Sequence, residues 1–398
     1  MRCTLQIARL VDARGDLTSG DISCDGASIT AAVTALETPD EAIEAAGMIV
    51  MPGFLDVHTH GGGGWSLHTT DAAQIHAYAR WAPATGVTSF LLGVVGTPGV
   101  LPEAQITAAV DAIEHQDGGA EALGIHLEGP YINERRRGAH LPSWLRAPNA
   151  EETERVLALT HGLLRILTLA PELPGASAMI RRLVDAGVTV SLGHSDATYE
   201  QALEAIALGV THVTHCCNAM RPLLHRDPGP ISALSESPGV FGEVIADGVH
   251  VHPAMLRVLL KLMGPERTII ITDALAGAGT EDAAFEFGGQ PARVIRGAAR
   301  LADGTITGSV LTMEQALRNV ASMTGATLSE ASGMLSYNPA RAAKVADRKG
   351  LLRPDYDADI AVFDADLALH ATYCRGELAF ATDAWRVRMG VSGVVAQW

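Results

Sequence analysis

Pro52-Gly-Phe-Leu-Asp-Val-His-Thr-His-Gly-Gly-Gly-Gly64 is the stretch on which the reading of the chain turns. Its apolar run, Phe54-Leu55-Asp56-Val57, has strand character and leads into His58-Thr59-His60. Side chains alternate faces along a strand, so His58 and His60 are expected to point the same way. Two imidazoles at the end of one strand form half of a metal site. The four glycines that follow allow a sharp turn and a close approach to a ligand.

Downstream, apolar β-branched runs alternate with amphipathic stretches. The runs predict strands over 54–58, 87–94, 122–128, 164–170, 188–194, 210–215, 240–246 and 267–273. Between them, apolar residues recurring at three and four predict helices over 71–84, 103–115, 177–186, 198–208 and 253–263. About eight β-α units in roughly 220 residues have the size and rhythm of a (β/α)₈ TIM barrel. A doubly wound sheet is the alternative, but it would show fewer units and a glycine-rich phosphate or dinucleotide loop after its first strand. The ends of the chain read as short strands and turns. Residues 1–50 and 346–398 are too poor in apolar residues to fold separately, so they are expected to pair into one small discontinuous β-sandwich domain. The barrel then spans 51–345.

Composition narrows the partners. A net charge of −16 speaks against nucleic acid or an anionic membrane, both of which want a basic face. A hydrophobic fraction of 47% over 398 residues supplies a large core. The five cysteines (Cys3, Cys24, Cys216, Cys217, Cys374) include no C-x-x-C pair, as expected of free thiols in a reducing compartment. No apolar run reaches membrane-spanning length, and a soluble, cytoplasmic protein is expected.

Barrels of this kind carry their chemistry at the C-terminal ends of the strands. The predicted strands end in His58 and His60, His126 and Glu128, His194, His215 and Asp273, and Asp247 and His250 follow the seventh. Glu128, His194 and His215 can reach one point above the barrel mouth. Three protein ligands with a position left for water is the pattern of a catalytic metal site. His58 and His60 can hold a second ion, with Glu128 bridging. Nitrogen and oxygen donors without thiolate suit zinc, iron, manganese or cobalt without choosing among them, and zinc is the ion expected. Cys217 shares a face with His215 and is a further candidate ligand, although packing is the expected role of both Cys216 and Cys217. Asp273 is the candidate general acid and base.

Together, Gly124-Ile-His-Leu-Glu-Gly-Pro-Tyr-Ile-Asn133, Gly138-Ala-His140, Leu192-Gly-His-Ser195, Thr214-His-Cys-Cys-Asn-Ala-Met220 and Thr272-Asp-Ala274 resemble the N-acetylglucosamine-6-phosphate deacetylases. These enzymes are a branch of the amidohydrolase superfamily. The resemblance covers about 50–345, and Asp357-Ala-Asp-Ile-Ala-Val-Phe-Asp364 is similar to the superfamily's terminal β domain. It implies hydrolysis of an N-acetyl group, giving glucosamine 6-phosphate and acetate. It also implies metal ligands at Glu128, His194 and His215, a catalytic aspartate at Asp273 and a carbonyl-polarising histidine at His140. Sugar and phosphate contacts are implied at Ala139, Asn218, Ala219, Arg226, His250 and Thr307. In the family, the arginine at Arg226 reaches the neighbouring subunit's site, which implies a homodimer. The chain departs from parts of the family in having both His58 and His60, and in carrying Cys216-Cys217 before Asn218. Arg135-Arg136-Arg137 is expected to be a solvated basic turn, with attraction of a phosphorylated sugar as the alternative.

Two other functions compete with this one. A cyclic-amide hydrolase or deaminase on the same barrel often carries a bridging lysine at the end of strand four, where this chain has Leu169-Ala-Pro-Glu172. A catalytically dead scaffold is disfavoured by the complete ligand set and Asp273.

Overall fold

The computed structural model describes residues 2–33, 40–280 and 284–390. Parts of the expected terminal domain (1, 34–39, 391–398) and of the barrel (281–283) lie outside the described residues.

Eight parallel strands form the barrel: β1 (Phe54–Thr59), β2 (Val87–Val95), β3 (Glu121–Glu128), β4 (Leu164–Leu169), β5 (Thr189–Leu192), β6 (Val210–Val213), β7 (Phe241–Ile245) and β8 (Thr268–Ile271). They pair in sequence order from β1 to β8. β8 returns to β1 by isolated bonds instead of a regular ladder. The Asp273 N–H donates to the His58 carbonyl (2.9 Å), and the Thr272 hydroxyl donates to the buried Asp56 carboxylate (2.5 Å). Every residue of β1 and β2 is buried, which explains their continuous apolar texture.

The expected helices form with recognisable ends. Asp71 caps Ala72–Trp81, and Thr198 forms a capping box with Gln201 ahead of Tyr199–Ala207. Pro253 opens Pro253–Met263 at the position where a missing N–H costs nothing. Helices Ala150–Leu159, Gly229–Ser235 and Met313–Thr324 were not predicted. The first of these buries only Thr153 and Val156, too little to write an apolar stripe.

The two ends of the chain meet in one sheet. Ile49–Pro52 pairs antiparallel with Ile360–Phe363, joining the strands before the barrel to those after it. The expected sandwich is thus built from one continuous eight-stranded sheet. It curls until Ser28 on one edge bridges Asp357, and Ile22, Ile29, Ile360 and Trp385 share a core. Lys349, 2% exposed in its side chain, ties that sheet to the start of β3 through Asp359 (2.5 Å), Asp357 (2.8 Å) and Glu121 (2.8 Å).

A second sheet was not foreseen. Four antiparallel strands, Ala284–Phe287, Gln290–Ile295, Ala298–Leu301 and Ile306–Ser309, lie between β8 and helix Met313–Thr324. Ser309 donates its N–H to the Asp273 carbonyl (2.8 Å), which fastens this insertion to the barrel mouth.

Candidate active site

Glu128 closes β3, and its carboxylate stands at the centre of a ring of imidazoles. Oε1 lies 3.0 Å from His194 Nε2 and 3.1 Å from His215 Nε2, and those two nitrogens are 3.1 Å apart. Oε2 lies 3.2 Å from His60 Nε2 and 3.5 Å from His140 Nε2. His58 Nε2 is 3.5 Å from Oε1. Asp273 Oδ1 faces the same histidine pair from the other side, 3.4 Å from His60 and 3.7 Å from His58.

His58 and His60 do share a face, as alternation along β1 requires. His194, His215 and Asp273 are reached differently. Their strands end two residues earlier, at Leu192, Val213 and Ile271, so these three residues are not the strand ends they were expected to be. Each instead adopts a left-handed backbone, with φ of 48°, 26° and 50°. That conformation costs of order 1–3 kcal/mol for a residue with a Cβ, and it survives only where surrounding structure enforces it. Here it ends the ladder and turns each side chain over the mouth.

The donor set fits a divalent ion. Three lone-pair atoms about 3 Å apart cannot all be joined by protons, whereas a tetrahedral ion with bonds of roughly 2.0 Å has ligands roughly 3.3 Å apart. His58 Nε2 is buried and has no hydrogen-bond partner among the described residues. His194 donates Nδ1–H to the Arg136 carbonyl (2.9 Å) and His58 is paired through Nδ1 with Glu243 (2.8 Å), so both have Nε2 free for a metal. A second group, His58, His60 and Asp273, could hold another ion, with Glu128 between the two.

Electrostatics agree with a cationic centre. Burial opposes charge on Glu128, yet the surrounding imidazoles hold it well below the usual carboxylate range. Burial pushes His140 down to about 4, so it stays a neutral imidazole near pH 7.

The ring opens into a cavity of about 190 Å³. Of the residues given a catalytic, sugar-contact or metal role by the resemblance, together with His58 and His60, all but His58 and Arg226 line it. His58 is fully buried beneath the ring. Arg226 lies on an exposed loop, where it hydrogen-bonds its neighbour His225 (2.7 Å) and not the cavity of its own chain. Phe287 and Ile306 also line the cavity; both come from the unforeseen sheet, as does Thr307. The sequence offered no signal for Phe287 and Ile306, because their place depends on a fold-back onto Asp273.

Three readings need correction. Gly61–Gly64 are absent from the cavity lining. A Cβ on Gly62 or Gly63 would strike the Trp81 ring within 2.5 Å, so these glycines make room for protein, not for a ligand. Cys217 is exposed and belongs to none of the metal-capable groups among the described residues, while Cys216 is packed in the barrel core. The basic turn is not simply solvated: Arg136 pairs with Asp196 (2.8 Å), and Arg137 donates to the His140 carbonyl (2.7 Å), bracing the loop that carries His140.

Residues 49–395 match the model of the amidohydrolase family. The N-acetylglucosamine-6-phosphate deacetylase of Lysinibacillus sphaericus is 36% identical over 351 residues, covering 86% of this chain and 88% of the relative. The N-acetylgalactosamine-6-phosphate deacetylase of Escherichia coli O157:H7 is 34% identical, with coverage of 83% and 88%. Among solved structures, a mutant Mycobacterium smegmatis N-acetyl-D-glucosamine-6-phosphate deacetylase in complex with N-acetyl-D-glucosamine-6-phosphate superposes with a TM-score of 0.88 at 35% identity, over 95% of this chain and 99% of that one. The Pasteurella multocida N-acetylglucosamine-6-phosphate deacetylase gives a TM-score of 0.90 at 28% identity, over 96% and 100%. With its barrel, its ring of imidazoles about Glu128 and these relatives over nearly its whole length, the chain belongs to the amidohydrolase family, in the branch of the N-acetylglucosamine-6-phosphate deacetylases.

Proposed function

We propose that this chain hydrolyses the N-acetyl group of N-acetylglucosamine 6-phosphate, giving glucosamine 6-phosphate and acetate. One observation carries the reading: Glu128, His194 and His215 converge to 3.0–3.1 Å on the wall of a cavity that also holds Asp273 and His140. A divalent ion (zinc, with iron, manganese or cobalt as alternatives) held by Glu128, His194 and His215, with a second beside His58 and His60, would polarise the amide and lower the pKa of water. Asp273 accepts the proton of the attacking water and returns it to the departing nitrogen. His140, neutral and edge-on to Trp144 (5.6 Å between ring centroids), offers an N–H to the acetyl oxygen. Ala139, Asn218, Ala219, His250 and Thr307 are left for the sugar and phosphate. Asp247 binds His250 Nδ1 (2.6 Å), which turns Nε2 toward a ligand.

Acetate release from N-acetylglucosamine 6-phosphate, N-acetylgalactosamine 6-phosphate and unphosphorylated N-acetylglucosamine tests this directly. The first should have the highest kcat/KM. A higher value for the galactosamine compound would change the sugar assigned, and equal values with and without phosphate would remove the phosphate from recognition.

A homodimer is part of the same proposal. Arg226 does not line its own cavity, and its loop exposes Leu223 (38%) and Leu224 (51%), as a surface covered by a second copy would. Arg226→Ala should raise KM for the phosphorylated sugar by roughly 10- to 100-fold, the worth of a charge-assisted bond. KM for the unphosphorylated sugar should barely move; an equal rise for both would mean that Arg226 does not contact phosphate. The division into a barrel (51–345) and a terminal domain (1–50 with 346–398) belongs to this reading. So does a cytoplasmic location, in keeping with five free cysteines. Among the described residues no helix is long and apolar enough to cross a membrane.

A further inference from the structure

Glu243 has no part in the reaction above, yet it is a carboxylate with no solvent exposure in the middle of β7. Its neighbours in that strand, Val244 and Ile245, are apolar and buried, as interior strand residues ordinarily are. A buried ionised carboxylate is costly unless donors surround it. Glu243 has three. Oε2 accepts from His58 Nδ1–H (2.8 Å) and from the backbone N–H of His215 (3.1 Å), and Oε1 accepts from His212 Nε2–H (2.9 Å).

The first two donors belong to opposite parts of the ligand ring. His58 stands on β1, and His215 follows β6, with β7 and β8 between those strands in the barrel. A hydrogen bond from Nδ1 to a carboxylate fixes the imidazole tautomer, keeping the Nε2 lone pair toward the ion, and holds the ring's angle. The bond to the His215 N–H holds the residue whose φ is 26°, a conformation needing support.

Proximity alone would allow His58, His126 and Glu243 to be read as an ion site of their own. The hydrogen bonds argue otherwise. His126 spends Nδ1 on the Val57 carbonyl (2.9 Å) and Nε2 on the Thr168 hydroxyl (2.8 Å), and both Glu243 oxygens are engaged.

We infer that Glu243 is a positioning residue: one carboxylate sets the tautomer of His58 and the backbone of His215, and so couples the two halves of the metal site. The inference rests on the metal reading of the ligand ring, and its test needs no turnover. Metal-free wild type and Glu243→Gln are titrated with Co²⁺ and Zn²⁺ against a chromophoric chelator, with thermal unfolding as a check on folding. Glutamine keeps the shape but cannot accept at both ends.

Affinity should fall roughly 10- to 100-fold, the usual effect of removing such a partner. In a His58→Ala background the same change should cost clearly less, because part of its effect passes through His58. Equal affinity in Glu243→Gln and wild type, or an undiminished loss in the His58→Ala background, would overturn the inference. A wild type that binds no divalent ion would instead sink the metal reading itself. Should Glu243→Gln fail to fold, ¹⁵N spectra of the histidine rings in zinc-loaded wild type decide the matter. His58 bound through Nε2 and protonated on Nδ1 supports the inference, and binding through Nδ1 overturns it.

Discussion

Replacing Asp273 by Asn is expected to lower kcat by about 10²- to 10⁴-fold, the usual worth of general acid–base assistance, while substrate still binds. Hydrolysis of an acetamide needs an activated water and a proton for a poor leaving amine. Asp273 is the carboxylate placed for both tasks. Its Oδ1 faces His60 and His58 at 3.4 and 3.7 Å, and its backbone is pinned by hydrogen bonds to His58 (2.9 Å) and Ser309 (2.8 Å). Burial raises its pKa, but the hydrogen bond from His60 and the histidine charges outweigh this and hold it below the ordinary aspartate value. It is therefore ionised and ready to accept a proton at neutral pH. Asparagine preserves the shape and the backbone but cannot accept that proton. Metal content, measured by elemental analysis, should be unchanged if Glu128, His194 and His215 hold the ion. Wild-type kcat within a few-fold would remove Asp273 from the mechanism, and loss of the ion would recast it as a ligand, a role its place beside His58 and His60 permits.

His194→Ala and His215→Ala should each abolish nearly all activity together with the tightly held ion. Their Nε2 atoms and Glu128 Oε1 form a triangle 3.0–3.1 Å on a side, and two remaining donors hold a catalytic ion poorly. Both side chains are buried, so each truncation also leaves a space that water can fill. His58→Ala separates one ion from two. A single-ion centre predicts a mild loss of turnover, and a two-ion centre predicts a loss comparable to His194→Ala with half the metal retained. Full metal occupancy in His194→Ala or His215→Ala would show the ligand assignment to be wrong.

The sequence by itself determined the barrel, its direction and most of the residues that gather at its mouth. Buried parallel strands are nearly continuous apolar runs, helices carry a 3.6-residue period, and both are local patterns. Polar residues that interrupt such runs at their C-terminal ends, Glu128 and the His58–His60 pair, therefore stand out without any knowledge of contacts. Tertiary structure decided what depends on partners far along the chain. Left-handed backbone at His194, His215 and Asp273 is held by the surrounding barrel; His and Asp tolerate it better than most residues, but nothing local requires it. Glu243 is a lone charge in an apolar strand, and what gives it meaning, its bond to His58, spans 185 positions. The sheet that brings Phe287 and Thr307 into the cavity is positioned by its bond to Asp273. Gly62 and Gly63 could be read as punctuation, but the Trp81 ring they accommodate could not. Periodicity records which face of an element is buried; it does not record what lies against that face, and that is where the ligand angles, the left-handed turns and the buried carboxylate are set.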